Sequence, residues 1–394
     1  MVCFTISVVL FLTTLIVASI NGAGFPCFFA AVTDYTKLNE SARDTGLTSP
    51  RLGGIVPVLF FEAWEVSFFF YATAVILLIV ACYLMAAGSM VMTNMRSSAD
   101  SGGAAYVVSL VAPPSTLLMG TVSVWLLQAV VVVLAHRLIV LAAAIYIVHF
   151  VTFSFFYGYF VGRGVDSRTY ADDVAITKQV DSAVHRLVGN ARALMTNLLS
   201  AVYGASLIML ALMFEMLLAN NFTIKFWHVI VITLSTTSVL TVIYLLVTEL
   251  LIARYVHMIL GGFIGLLVGY GMLGTSAHDY MNKFFYAMGK HVGGLRLASQ
   301  IVLGVFAFLV LVSMLVRIVR ASIYHRRRFT RAYMRTRKIK GDVRDKIRRI
   351  SGRDKRRNEG DRLPLREVNY ASGTSDEEKI YDVADLTDDS EWED

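Results

Sequence analysis

The sequence predicts an all-α polytopic membrane protein, a bundle of about eight transmembrane helices with a disordered cytosolic C-terminal tail. Three observations carry that prediction. Only 16% of the 394 residues are charged and 56% are hydrophobic, whereas soluble globular proteins carry roughly 25% charged residues. Much of the charge lies in the last 75 residues, so the remainder is more apolar still. Several uncharged runs also reach the ~20 helical residues that cross about 30 Å of hydrocarbon. Residues 1–322 are read as the eight-span domain, with 23–64 as its first lumenal loop. Residues 323–394 are the tail, basic over 323–366 and acidic over 371–394.

The spans follow in order. The first is Phe4–Ile20; the small residues around Ala18–Ala23 also fit a cleaved signal peptide, although Met1–Phe4 lacks the usual positive charge. The second is Val66–Met90, with Trp64 at the depth of an interfacial anchor. The third ends near Ala135 and carries Pro113-Pro114 early, where proline is expected to bend the rod. A tight turn at His136-Arg137 leads to the fourth, Leu138–Phe160. Val180, Val184, Leu187, Val188, Ala191 and Leu194 recur at helical spacing opposite Lys178, Arg186 and Arg192. That pattern fits either an amphipathic helix on the membrane surface or a cytosolic extension of the next span. The remaining spans are Leu198–Leu218, Phe226–Thr248, Tyr255–Met272 and Leu297–Val319, with a polar, aromatic stretch over 275–294.

Cytosolic segments collect Lys and Arg. The stretch from Arg320 through Arg326-Arg327-Arg328 to Lys355-Arg356-Arg357 therefore places the C-terminus in the cytosol, and eight crossings place the N-terminus there too. The same basic residues give the net charge of +7. Their position beside a span points to anionic lipid head groups, not to nucleic acid.

Charges inside a membrane are costly and invite a functional reading. His149 lies mid-span four and Glu215 late in span five, with Glu249 and Arg254 at the turn after span six. A transporter or channel would use His149 and Glu215 as a proton or ion pathway. The structural alternative has His149 bonding a neighbouring helix, Glu215 near the lumenal surface, and Glu249 and Arg254 interfacial. Broken helices in duplicate, common in transporters, are not apparent. No nucleophile with its base, paired carboxylates or phosphate loop suggests an enzyme. No metal site and no cofactor are expected. Gly261-Gly262 and Gly265, within an apolar run, read as close helix packing.

Cys3 and Cys82 lie in or beside apolar runs, whereas Cys27 lies in the first lumenal loop, free or paired to another chain. Of two glycosylation sequons, Asn39-Glu40-Ser41 is well placed in that loop; Asn221-Phe222-Thr223 lies in a turn too close to the bilayer. The two-signed tail suits basic contact with the cytosolic leaflet and acidic presentation to cytosolic partners. Thr374, Ser375 and Ser390 each have an acidic residue three positions on, as acidophilic kinases prefer. Tyr381-Asp382-Val383-Ala384 partly matches a tyrosine sorting signal, with Ala384 where a bulky apolar residue belongs.

Gly24-Phe25-Pro26-Cys27-Phe28-Phe29, Asp34-Tyr35 and Leu38-Asn39 resemble the first loop of herpesvirus envelope glycoprotein M of the gammaherpesvirus type. Pro113-Pro114-Ser115 with Trp125, His149-Phe150, Thr248-Glu249 and Val316–Arg320 are similar in order and position, so the resemblance covers residues 10–322. The resemblance implies an eight-helix, non-enzymatic envelope protein that binds a small single-span partner, glycoprotein N. It implies that Cys27 forms the interchain disulfide. It further implies passage through the host Golgi, trans-Golgi network, endosomal and nuclear membranes to the virion envelope. The associated roles are cytoplasmic envelopment, egress and modulation of fusion, with tegument or host sorting proteins as partners of the acidic tail.

Overall fold

The computed structural model describes residues 1–20, 64–95, 111–136, 138–162, 186–187, 191–222, 224–252 and 259–323. Among them are eight long helices: α1 Val2–Ser19, α2 Trp64–Met95, α3 Pro114–Ala135, α4 Ile139–Gly162, α5 Arg192–Asn221, α6 Phe226–Leu246, α7 Gly261–Lys283 and α8 His291–Ile323. A π-helical segment, Val247–Ile252, continues α6, and a single turn, Phe285–Met288, precedes α8. In hydrocarbon every backbone N–H and C=O must be satisfied within the protein, so an apolar run has little choice but to be a helix. Seven of the eight are long and apolar enough to cross a membrane. The exception is α7, long enough but diluted by glycine and by Thr275, Ser276, His278 and Asp279.

The helices alternate in direction. Tyr71 of α2 donates to the Leu15 carbonyl of α1 at 3.1 Å, while Met1 lies against Gly88. In α3 and α1, which run parallel, Gln128 donates to Thr14 at 2.8 Å and Gly120 meets Phe4. Tyr146 and Tyr157 of α4 reach Ser206 and Ser200 of the antiparallel α5 at 3.3 and 3.0 Å. Thr241 of α6 and Tyr270 of α7 share a 2.6 Å bond. The near end of the bundle thus holds both Met1 and Ile323. The far end holds the turns α3–α4, α5–α6 and α7–α8. Gly289, with φ at +55°, makes the last of these, in backbone space that favours glycine.

Several helix ends depart from the expected spans. Pro113 and Pro114 do not bend α3; they start it, Pro113 as N-cap and Pro114 as the first helical residue, where a missing N–H costs nothing. The seventh helix runs to Lys283, eleven residues beyond the expected Met272, into the polar, aromatic stretch over 275–294. One face of its polar half is enclosed by protein, with Ser276, Ala277, Tyr280 and Met281 all buried, while His278 and Asp279 on the other face are exposed. The expected amphipathic helix lies mostly outside the described residues. Arg192, expected on its polar face, is instead 6% exposed inside the bundle.

The tightest seam is α5 against α7, two parallel helices. A Cβ placed on Gly261 would lie 1.8 Å from the Asn197 carbonyl oxygen, and one on Gly265 would lie 1.9 Å from that of Ala201. On the other side, a Cβ on Gly204 would come within 2.2 Å of the Gly262 carbonyl oxygen. The glycines thus serve close helix packing, as expected. The first turn of α7 has no side-chain cap of its own. Asn197 of α5 supplies one, its Oδ1 accepting from the Leu260 and Gly261 amides at 2.8 and 3.0 Å. A helix start leaves such donors without intrahelical partners.

Candidate functional site

Most of the residues singled out in the sequence, Cys27, Asn39, Thr374, Ser375, Tyr381 and Ser390, lie outside the described residues, as does Arg254. Asn221 ends α5. Cys3 and Cys82 are both exposed, on α1 and α2. Among the described residues, the charged and imidazole side chains set inside the bundle are His149, Arg192, Glu215 and Arg317 with its partner Glu249.

His149 is buried between α4 and α3. Its Nδ1 lies 2.8 Å from the Ser123 carbonyl oxygen, which can only accept, so Nδ1–H donates. The ring stacks on Phe153 at 5.8 Å. This histidine bonds a neighbouring helix, as the structural alternative required. Glu215 is fully buried on α5, beside Thr233 and Thr236 of α6 and facing Tyr280 of α7. The two do not meet. Tyr146, one turn from His149, reaches the Ser206 carbonyl. Glu215 lies nine residues further along α5, about 13 Å of helical rise. A single pathway through both residues is not what this geometry offers.

The other two sites were missed from sequence. Arg192 opens α5 and binds two other helix ends. Its Nη1 donates to the Val111 carbonyl at 2.8 Å and its Nη2 to the Phe160 carbonyl at 2.7 Å, with the guanidinium 4.7 Å from the Phe160 ring. Phe160 is in the last turn of α4, whose carbonyls lack intrahelical donors and where a cation complements the helix dipole, whereas Val111 lies just ahead of the start of α3. Arg192 so ties the near ends of α3, α4 and α5. Arg192→Met is expected to lose both charged hydrogen bonds, each worth about 1.5–3 kcal/mol. A large fall in thermal unfolding midpoint, measured by size exclusion of heated detergent extracts, checks this. A midpoint equal to wild type would deny Arg192 that role.

Arg317 of α8 is 2% exposed, yet only 11% of the most apolar window of α8 is buried. Its Nη1 lies 3.6 Å from Glu249 Oε1, and Arg320 Nη1 lies 3.3 Å from Oε2 of the same carboxylate. Tyr157, Tyr244 and the Phe263 ring surround the Arg317 guanidinium. Glu249 sits in the π-helical segment, where the extra residue per turn re-aims a side chain. In sequence this looked like an interfacial charge; in the structure it fastens α8 to the rest.

A buried, mutually bonded set of polar groups within membrane-length helices defines a polytopic helical membrane protein whose polar interior holds helices together. A family model described as Herpesvirus glycoprotein M matches residues 1–336. Envelope glycoprotein M of Gallid herpesvirus 2 is 55% identical over 396 residues, covering 100% of this chain and 93% of its own. Those of Varicella-zoster virus (strain Dumas) and Equine herpesvirus 1 are 36% and 32% identical, covering 88% and 97% of this chain and 80% and 86% of their own. No solved structure matches. The chain belongs to the herpesvirus glycoprotein M family. It is accordingly a multi-span protein of the viral envelope and not an enzyme. The Gallid herpesvirus 2 protein is from an alphaherpesvirus, so the gammaherpesvirus placement suggested by the first loop has no support from it.

Proposed function

We propose that this chain is an envelope scaffold that forms a disulfide-linked complex with a small single-span protein of the glycoprotein N type. In this reading it carries the partner to Golgi-derived membranes for virion envelopment and egress, and modulates membrane fusion. The observation that supports it most is the position of the three cysteines. Cys3 and Cys82 sit on the apolar helices α1 and α2, which leaves Cys27 in the polar loop between them. The family match runs through that loop. With Met1 and Ile323 at one end of the bundle, the basic run after Ile323 puts both termini in the cytosol by the charge rule. The loop with Cys27 and the sequon at Asn39 then faces the lumen, where disulfides and glycans form.

The tail completes the reading. Its basic part binds anionic lipid. Its acidic part, with Thr374, Ser375, Tyr381 and Ser390, meets tegument or host sorting proteins. The covalent link is tested by co-expressing the chain with a glycoprotein N-type partner and running a non-reducing gel. A heavier band is expected that collapses with reductant and is absent in Cys27→Ser. Identical monomer bands from wild type and variant would refute the disulfide.

A further inference from the structure

Glu215 plays no part in the reading above. It is 0% exposed, and neither carboxyl oxygen makes a well-formed hydrogen bond among the described residues, although the Thr233 and Thr236 hydroxyls stand beside it. No ion pair joins it to a described residue. A carboxyl group taken out of water without a partner is strongly penalised, in a membrane bundle as in any protein interior. Something chemically complementary is therefore expected beside it.

The neighbours say what kind of group that is. Thr233 stands next to the carboxyl, but its hydroxyl hydrogen is already used: Oγ1 donates to the Val229 carbonyl at 2.7 Å. A hydroxyl has one hydrogen, so Thr233 turns only lone pairs toward Glu215. Thr236 adds a second hydroxyl oxygen from α6, and Tyr280 faces the carboxyl from α7. The Thr233 oxygen and the carboxyl oxygen it faces are then both acceptors and repel unless a positive species lies between them. The setting is rich in oxygen and, among the described residues, holds no lysine, arginine or histidine paired to the carboxyl, which is the chemistry of hard cations and not of soft metals. The site also lies within reach of one aqueous face. Glu215 is six residues from the end of α5 and Thr233 seven from the start of α6, about 10 Å below the far end of the bundle.

We infer that Glu215, with Thr233 and Thr236, forms a buried site for a monovalent cation, either a proton or sodium, between α5, α6 and α7. A ligand that binds only the folded state stabilises it by mass action. Each tenfold rise in the cation above its dissociation constant raises the folded-to-unfolded ratio about tenfold.

The test uses the purified full chain in detergent and follows its thermal unfolding. In one arm sodium chloride replaces N-methylglucamine chloride at constant pH and ionic strength. In the other, pH is lowered from mildly alkaline to mildly acidic in sodium-free buffer. Wild type is expected to gain stability in at least one arm, and Glu215→Gln to lose that gain. A sodium response assigns sodium; a pH response without it assigns the proton. His278 and Asp279 of α7 are exposed and are present in both wild type and variant, so the difference between the two isolates Glu215. If Glu215→Gln does not fold, Thr233→Ala keeps the carboxyl and should shift the response to higher cation concentration. A wild type that responds in neither arm, or variants that respond as wild type does, would overturn the site.

Discussion

Gly265→Leu is expected to destroy the native bundle. Even the Cβ would sit 1.9 Å from the Ala201 carbonyl oxygen, and backbone cannot swing aside as a side chain can. Overpacking a well-fitted core costs about 1–3 kcal/mol, and a clash with backbone lies at or above the top of that range. The two helices must part, and with them goes the cap that Asn197 provides to the first turn of α7. The measurement is fluorescence-detected size exclusion of the tagged chain: the monodisperse peak should be lost. Gly271→Ala is the control. Nothing lies within 4 Å of a Cβ there, so only helix propensity acts, and the change should be neutral or stabilising by up to about 1 kcal/mol. Equal profiles for the two variants would refute the close α5–α7 seam.

Glu249→Gln should be the most damaging single change within the Arg317–Glu249–Arg320 cluster. It leaves Arg317, 2% exposed, without its counter-charge. Breaking a buried pair from one side costs about 3–5 kcal/mol. The lower end applies, because the Glu249 side chain is 24% exposed. Removing the other arginine should matter far less. Arg320 is 61% exposed, and pairs of that kind are worth about 0–1 kcal/mol. Replacing both Arg317 by Met and Glu249 by Gln should recover much of the single-variant loss, since no unpaired charge stays buried. Unfolding midpoints of Glu249→Gln, Arg317→Met and the double variant decide it: additive losses would contradict the pairing.

Hydrophobic runs located all eight helices, because a membrane span is specified by its average and not by its details. The ends were less visible, for one recurrent physical reason. Hydropathy treats a polar residue as a boundary, yet here polar residues are folded inward. Arg192 and Asn197 made α5 look as if it began at Leu198, although the helix starts at Arg192. Ser276 and Tyr280 made α7 look finished while it still ran through the bundle. The same blindness hid the site residues. A lone arginine near a predicted helix end reads as an interfacial charge. Only the carbonyls of Val111 and Phe160, distant in sequence, reveal the role of Arg192. Glycine spacing was easier to interpret, since small residues four apart in an apolar run have few other uses. The loop holding Cys27 and the two-signed tail were read from chemical type and location, whereas the interchain disulfide came from the resemblance of the first loop and is what the gel described above tests.

The glycine face of α7 also bears on how the chain is made. A segment rich in glycine and polar residues partitions poorly into lipid on its own. Its complementary surface, on α5, emerges from the ribosome two helices earlier. Insertion of α7 is therefore a docking event as much as a partitioning event. The translocation machinery must release it toward a waiting α5, with α6 already turned back across the bilayer. Order of synthesis and order of assembly coincide at this seam, so a mutation in α5 can strand α7 outside the bilayer without altering a single residue of it.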